Sequence, residues 1–412
     1  VQVNIVDALM GQGKTSALIN FINASAPDVK FLYITPYLTE VQRIIDRCSS
    51  KKFKQPEKYG RKKTGIKYLF EKGVNIVSTH SLFRDFDQEI IDLAYNNNYT
   101  LVMDEVADVI EPLAISRDDL ATLREKYTEV IEGHILKWTA ENYEGKFEEY
   151  KRLCDIGCVG IYNDNAILWL FPIATFKGFR EIYILTYIFQ AQTQKYYFDF
   201  YGVEYRYLYI TGSSVNGSDP YQLTNEPQVY DYSRYANLVK IIDNEKLNQI
   251  GELDGSLSAS WYKRNKDNRL MSVIKNNLIN YFSHHTKTNS KFTLWTTFKD
   301  YQQQLKGKGY TKGFVPSNMR ATNDYKDRTA IAYCINKYFN PYIKNFFIQN
   351  GIEIDEDAFA LCEMLQWIFR SAIRVEHEIH AYIPSKRMRI ILKGWLNFIE
   401  SGQSSITKEH NN

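Results

Sequence analysis

The sequence predicts an α/β protein built on parallel sheets, and three observations predict it. A glycine-rich turn, "ALMGQGKT" (Ala8 to Thr15), follows an apolar strand and opens a helix. Further apolar strands alternate with helical patterns along the first half of the chain. The chain has 412 residues, enough for two domains of roughly 200 residues each. The expected division is 1–200 and 201–412.

The elements follow in order. Val1 to Val6 reads as a buried strand, and Leu18, Phe21 and Ile22 after Lys14 are spaced for one helix face. "FLYITP" (Phe31 to Pro36) is a second strand, followed by the helical "LTEVQRIIDRC". "VNIVSTHSLF" (Val74 to Phe83) is a third strand running into a loop and helix, and "TLVMDEV" (Thr100 to Val106) is a fourth. The stretch 116–175 begins helical and charged, which predicts a helical insertion before a fifth strand, "REIYILTYIF" (Arg180 to Phe189). "EYRYLYI" (Glu204 to Ile210) then opens a second sheet, and strands and helices resume at "KFTLWTTFKDYQQQL". No internal repeat of fixed period is present.

Composition narrows the class. With 44% hydrophobic and 24% charged residues this is an ordinary packed chain rather than a disordered one. The net charge of +3 is too mild to specify a nucleic-acid partner, which would have to bind through local patches. The longest apolar run, Ala166 to Phe176, is too short to span a bilayer and contains Pro172, so no membrane association is expected. The first residues lack the basic-then-apolar pattern of a secretory signal, which predicts a cytoplasmic protein. Cys48, Cys154, Cys158, Cys334 and Cys362 are odd in number and scattered, which argues against a disulfide framework and for buried, reduced thiols.

The chemistry concentrates in two places. In the phosphate-loop pattern, with Ala8 in place of its first glycine, Gly11 and Gly13 permit the tight path. Backbone N–H groups from Gly11, Gln12 and Gly13 form a nest for phosphate, Lys14 reaches the outer phosphates, and the Thr15 hydroxyl ligates magnesium. Asp104 and Glu105 close an apolar strand at the sheet's carboxyl edge. Asp104 is placed to hold the metal and Glu105 to polarise the attacking water. A nucleoside triphosphate with Mg2+ is the implied cofactor.

These residues carry a family resemblance. "MGQGKT", "DEVAD", "YITP" and "STHSLF" resemble motor motifs I, II, Ia and Ib of the DEAD/DEAH-type superfamily 2 helicases. "ILTYIF" resembles motif III, which makes Thr186 a coupling residue, and "SNMRATNDYKDRT" and "QWIFRSAIR" resemble motifs V and VI. The strings "WTTFKDY", "RATNDY", "QWIFRSAIR" and "YIPSKRMR" are similar to helicase-like proteins of tailed phages, over residues 3 to about 396. The resemblance implies two RecA-like domains forming a helicase motor core, ATP as the nucleotide, and nucleic acid as the track, DNA with a single-stranded region. It further implies a monomer working beside replication or recombination proteins in the bacterial host's cytoplasm.

The resemblance also assigns residues. Arg320 contacts the nucleotide, and Gln366 contacts it or couples it to the strand. Arg370 and Arg374, four residues apart, are expected on one helix face as transition-state cations. The chain departs from the pattern in two places. Arg374 stands one residue further from Gln366 than usual, and Ala321 and Thr322 follow Arg320 where a glycine is common. Thr35, Pro36, Ser78, Thr79, His80 and Thr297 follow strands, where they either grip phosphates without reading sequence or serve as ordinary caps. The basic run Lys51 to Lys67 is either an electrostatic guide or a solvated loop. Trp295 and Trp367 read as core, and Phe298 as core or a stacking platform. Two rival functions are a DNA-packaging ATPase, for which a nuclease carboxylate cluster is missing, and a nucleotide-gated binding protein that does not translocate.

Overall fold

Seven strands form the first sheet, in a computed structural model that describes residues 1–59, 62–132, 134–163, 165–212, 221–319 and 324–402. They are β1 (Gln2–Asp7), β2 (Phe31–Thr35), β3 (Ile76–Thr79), β4 (Thr100–Asp104), β10 (Glu181–Thr186), β11 (Tyr205–Thr211) and β12 (Gln222–Thr224). Their order is β12-β11-β1-β10-β4-β2-β3, parallel throughout except for β12 at the edge. Strands such as Phe31–Thr35, buried at every residue, read as unbroken apolar runs because helices cover both faces of a parallel sheet. The helices between them include α1 (Lys14–Ala24), α2 (Leu38–Arg47), α3 (Lys62–Glu71), α4 (His80–Arg84) and α5 (Gln88–Asn96).

The stretch Glu204 to Ile210 does not open a second sheet. As β11 it pairs in parallel with β1, from Val3 opposite Tyr205 to Val6 opposite Leu208. A parallel neighbour needs a crossover, and the helix Thr193–Phe200 supplies it. The first unit accordingly runs to Pro227 and not to residue 200.

The insertion is also not mainly helical. Five antiparallel strands make it: β5 (Ile110–Pro112), β6 (Thr128–Ile131), β7 (Ile135–Trp138), β8 (Val159–Tyr162) and β9 (Ala166–Leu170), in the order β5-β9-β8-β7-β6. Two charged helices, Arg117–Lys126 and Glu148–Asp155, close its core on Leu136, Trp138, Val159 and Ile167. Strands of three to five residues leave too little alternation to read, so the charged helices dominated the pattern. Arg84, at the end of α4, fixes this sheet to the first one. Its guanidinium donates to both Glu111 carboxylate oxygens at 2.7 Å and lies 4.0 Å over the Trp169 ring.

One element joins the first unit from far along the chain. The helix Pro341–Gln349, within residues 340–354, packs there: Phe346 stands against Gly160, Phe347 against Tyr196, and Gln349 donates to the Ile161 carbonyl at 3.1 Å.

The second unit, residues 228–339 and 355–412, holds a four-stranded parallel sheet. Its strands β13 (Val239–Ile241), β14 (Thr293–Thr296), β15 (Ala330–Tyr333) and β16 (Ile379–Tyr382) lie in the order β13-β16-β15-β14. Trp295 and Trp367 are fully buried, as their core reading expects, and Phe298 packs half-buried against the same core as Trp295. No helix among the described residues is long and apolar enough to cross a membrane.

A Cβ at position 160 would lie 2.9 Å from the Phe346 ring, which is itself fully buried. Gly160→Val is therefore expected to destabilise the protein by about 1–3 kcal/mol, read as a lower urea midpoint.

Candidate functional site: a phosphate loop and its carboxylate edge

Strand β1 ends at Asp7, and the turn that follows is held by its neighbour. The Ala8 N–H donates to the Thr186 carbonyl at the end of β10, at 3.2 Å. Gly11 and Gly13 take φ values of 86° and 82°, the left-handed region that an L side chain resists. Gly13 begins α1 without any side-chain cap, so the helix start presents backbone N–H groups and the positive end of its dipole to an anion. Lys14 folds over the turn, its Nζ donating to the carbonyls of Ala8 and, at 3.1 Å, of Leu9.

The carboxylate edge lies two strands away. Strand β10 separates β1 from β4, yet Thr15 Oγ1 at the start of α1 donates to Asp104 Oδ2 at 3.3 Å. Tyr33 on β2 donates to the same oxygen at 3.2 Å, and Arg43 on α2 adds positive charge. Protein crowding around Asp104 pushes its pKa up by desolvation, against the pull of Arg43, Tyr33, Lys14 and Thr15. The Tyr33 hydroxyl is raised well above the ordinary phenol range by its own burial and by the adjacent Asp104. Glu105 follows at φ 81°, a strained value for a residue with a Cβ, and its N–H bonds to the Leu185 carbonyl at 3.0 Å. This donor set fits a magnesium-bound triphosphate: a nest for anionic oxygens, a lysine, and two hard oxygen donors side by side. Among the described residues no cluster of three or more His, Cys, Asp or Glu forms a separate metal site.

Three further contributors escape the motif. Asp7 accepts from the backbone N–H groups of Ile188 at 2.8 Å and Phe189 at 2.7 Å, just past Thr186. It thereby holds β-branched Ile188 at φ 55° and ψ 58°. Burial raises the Asp7 pKa, opposed by those two bonds and by Lys14. Tyr33 and Arg43 are the second and third. The sequence signal for Asp7 was its place directly before the loop; Tyr33 lies in the "YITP" string and Arg43 in no motif, and only the sheet order brings either to Asp104.

The residues expected at a nucleic-acid surface have mixed placements. Thr35, Ser78 and Thr79 end β2 and β3 with their side chains buried, and Thr297 is buried just beyond β14. Pro36 and His80 are half-exposed, and Tyr37 and Leu38 next to them are exposed. His80 Nε2 lies 3.3 Å from the Asp104 carbonyl. The basic run is drawn into the protein at three points: Lys51 is buried against the Val29 carbonyl, and Lys63 and Lys67 pair with Asp87.

In the second unit, Gln366 lies on the helix Glu356–Ile368 and donates to Cys362 Sγ. Arg370 and Arg374 do not share a helix face. The helix stops at Ile368 and Ser371 is extended at ψ −171°, so buried Arg370 lies in the turn and half-exposed Arg374 in a 3-10 turn, Ala372–Val375. Arg320 lies outside the described residues. All five cysteines are buried and none is in a disulfide, and burial pushes the Cys154 and Cys158 thiols up to about 12.

A glycine turn at the carboxyl edge of one parallel sheet, with a second parallel-sheet unit following in sequence, defines a mixed α/β protein. More particularly, the chain belongs to the YonV family. It is 38% identical, over 413 aligned residues, to the SPbeta prophage-derived uncharacterized protein YonV of Bacillus subtilis (strain 168), covering 96% of this chain and 98% of that one. The YonV middle domain matches residues 110–169, which are the inserted sheet, and the YonV C-terminal Rossmann-like domain matches 233–396. Among solved structures, the DUF1998 helicase MrfA bound to DNA and AMPPNP aligns at 13% identity with a TM-score of 0.35, over 98% of this chain and 49% of that one.

Asp104 supplies a pH test. Its raised pKa means that the folded state favours the protonated acid, so its contribution is fully present below the unfolded value near 4 and lost as pH rises through the folded value. Asp104→Asn removes that loss. Its thermal midpoint without ligand should exceed that of the unsubstituted protein at pH 7 and converge with it near pH 4.

Proposed function

We propose that this protein is an ATP-dependent nucleic-acid motor, a helicase or translocase acting on DNA with a single-stranded region. The observation that carries the reading is the Thr15 to Asp104 pairing beside a loop with two left-handed glycines. A glycine turn alone needs no such partner two strands away. The prophage origin of the YonV relative supports a place in the replication or recombination of a mobile element, in a bacterial cytoplasm.

The bound magnesium nucleotide would supply the polarised outer phosphate and its leaving group. The chain's residues do the rest. Gly11, Gln12 and Gly13 orient the phosphates through backbone N–H groups, and Lys14 exchanges its carbonyl acceptors for phosphate oxygens. Thr15 and Asp104 would hold the metal. Glu105, aimed by its strained backbone, takes the proton from the attacking water at a carboxylate oxygen. By the family resemblance, Arg370 and Arg374 would stabilise transition-state charge, with Gln366 and Arg320 as further nucleotide contacts. Thr186 couples hydrolysis to the strand, which runs past Thr35, Pro36, Ser78, Thr79, His80 and Thr297. Because most of those side chains are buried, the phosphates would meet backbone N–H groups there.

Steady-state ATP hydrolysis with single-stranded DNA, single-stranded RNA or duplex tests this. Single-stranded DNA should stimulate turnover, Lys14→Ala should abolish it, and Glu105→Gln should slow it roughly 10²- to 10⁴-fold while nucleotide still binds. Hydrolysis indifferent to every nucleic acid would overturn the motor.

A further inference from the structure

Strand β12 returns antiparallel to β11 and brings Tyr221 onto the phosphate loop. The ring stands so close to Gly13 that a Cβ there would lie 2.6 Å from Tyr221 Cδ1 and Cε1 and 2.8 Å from Cγ. The Tyr221 carbonyl is fixed in turn by the Asn20 side chain, which donates to it at 2.9 Å from α1. Gly13 is thus glycine for two reasons, its φ of 82° and the aromatic ring on its open face. The ring itself is half-buried, with part of its surface left open.

The strand order gives this position a meaning. Strand β1 has β10 on one side, leading to Asp104 and Glu105, and β11 with β12 on the other. A triphosphate in the loop would present its outer phosphate to Lys14 and the Thr15 to Asp104 pair. Its nucleoside would then leave on the far side, over the start of α1 and toward β12. Tyr221 is the aromatic side chain at that end of the loop.

We infer that Tyr221 forms the nucleoside side of the site and stacks on the base of a bound nucleoside triphosphate. The inference rests on the nucleotide reading above but not on the motor. Stacking uses a ring face that every base offers, so this contact adds affinity without choosing among purines.

Binding of ATP and of inorganic tripolyphosphate, each with magnesium, separates the roles by titration calorimetry. Tyr221→Ala should weaken ATP about tenfold or more and leave tripolyphosphate unchanged, and Tyr221→Phe should restore ATP. Retained tripolyphosphate binding also reports an intact loop. Equal loss of both ligands would mean that the ring only props Gly13 and would overturn the subsite, as would unchanged ATP affinity. If the unsubstituted protein binds neither ligand, the nucleotide reading itself fails and takes the subsite with it; binding of both in a Lys14→Ala variant would sink only the assignment of that lysine.

Discussion

The first unit depends on the end of one strand. β10 lies between β1 and β4 and bonds to both at its last residues: Thr186 accepts from Ala8, where the phosphate loop starts, and Leu185 accepts from Glu105. The loop and the carboxylate edge belong to strands that never touch, so their spacing is set by the width of β10, roughly two interstrand steps of about 4.8 Å. Thr15 spans that gap to Asp104 only because α1 starts immediately after the turn. Asp7 then pins the chain that leaves β10 through two backbone bonds. A carboxylate accepting two N–H groups holds Ile188 where a β-branched residue would not stay unaided.

That arrangement concentrates unfavourable terms at one edge. Glu105 and Ile188 both have positive φ, and Asp7 and Asp104 both sit where burial disfavours their charge. Strain and desolvation of this kind persist only when the surroundings over-determine the geometry. Here the surroundings are parallel strands buried at all or nearly all of their residues, which have little freedom to relax. The cations Arg43 and Lys14 offset part of that cost around Asp104.

Much of the site was legible in sequence because its parts are local. Lys14, Thr15, Asp104 and Glu105 fall at a strand end or a helix start, and period and turn chemistry mark those places. What was not legible depended on pairing. Nothing in "EYRYLYI" says that it will lie beside β1, and Tyr221 reaches Gly13 only through that pairing. The inserted sheet was hidden because its strands of three to five residues are too short to show alternation beside two charged helices. The shared helix face expected for the two arginines failed for a local reason. A four-residue spacing implies a shared face only while the helix continues, and this one ends at Ile368 as Ala372 turns to bond the Arg328 carbonyl at 2.9 Å.

The five-residue helix α4 gives the inserted sheet a physical reason to matter to the site. At one end His80 meets the Asp104 carbonyl, and at the other Arg84 grips Glu111 on β5 and Trp169 on β9. At 1.5 Å rise per residue the helix is only about 7.5 Å long, too short to bend between its two attachments. α4 therefore links the β5 to β9 edge to the strand end that carries Asp104. A planar, bidentate arginine stacked on an aromatic ring suits such a joint better than lysine would, because its direction is fixed as well as its charge.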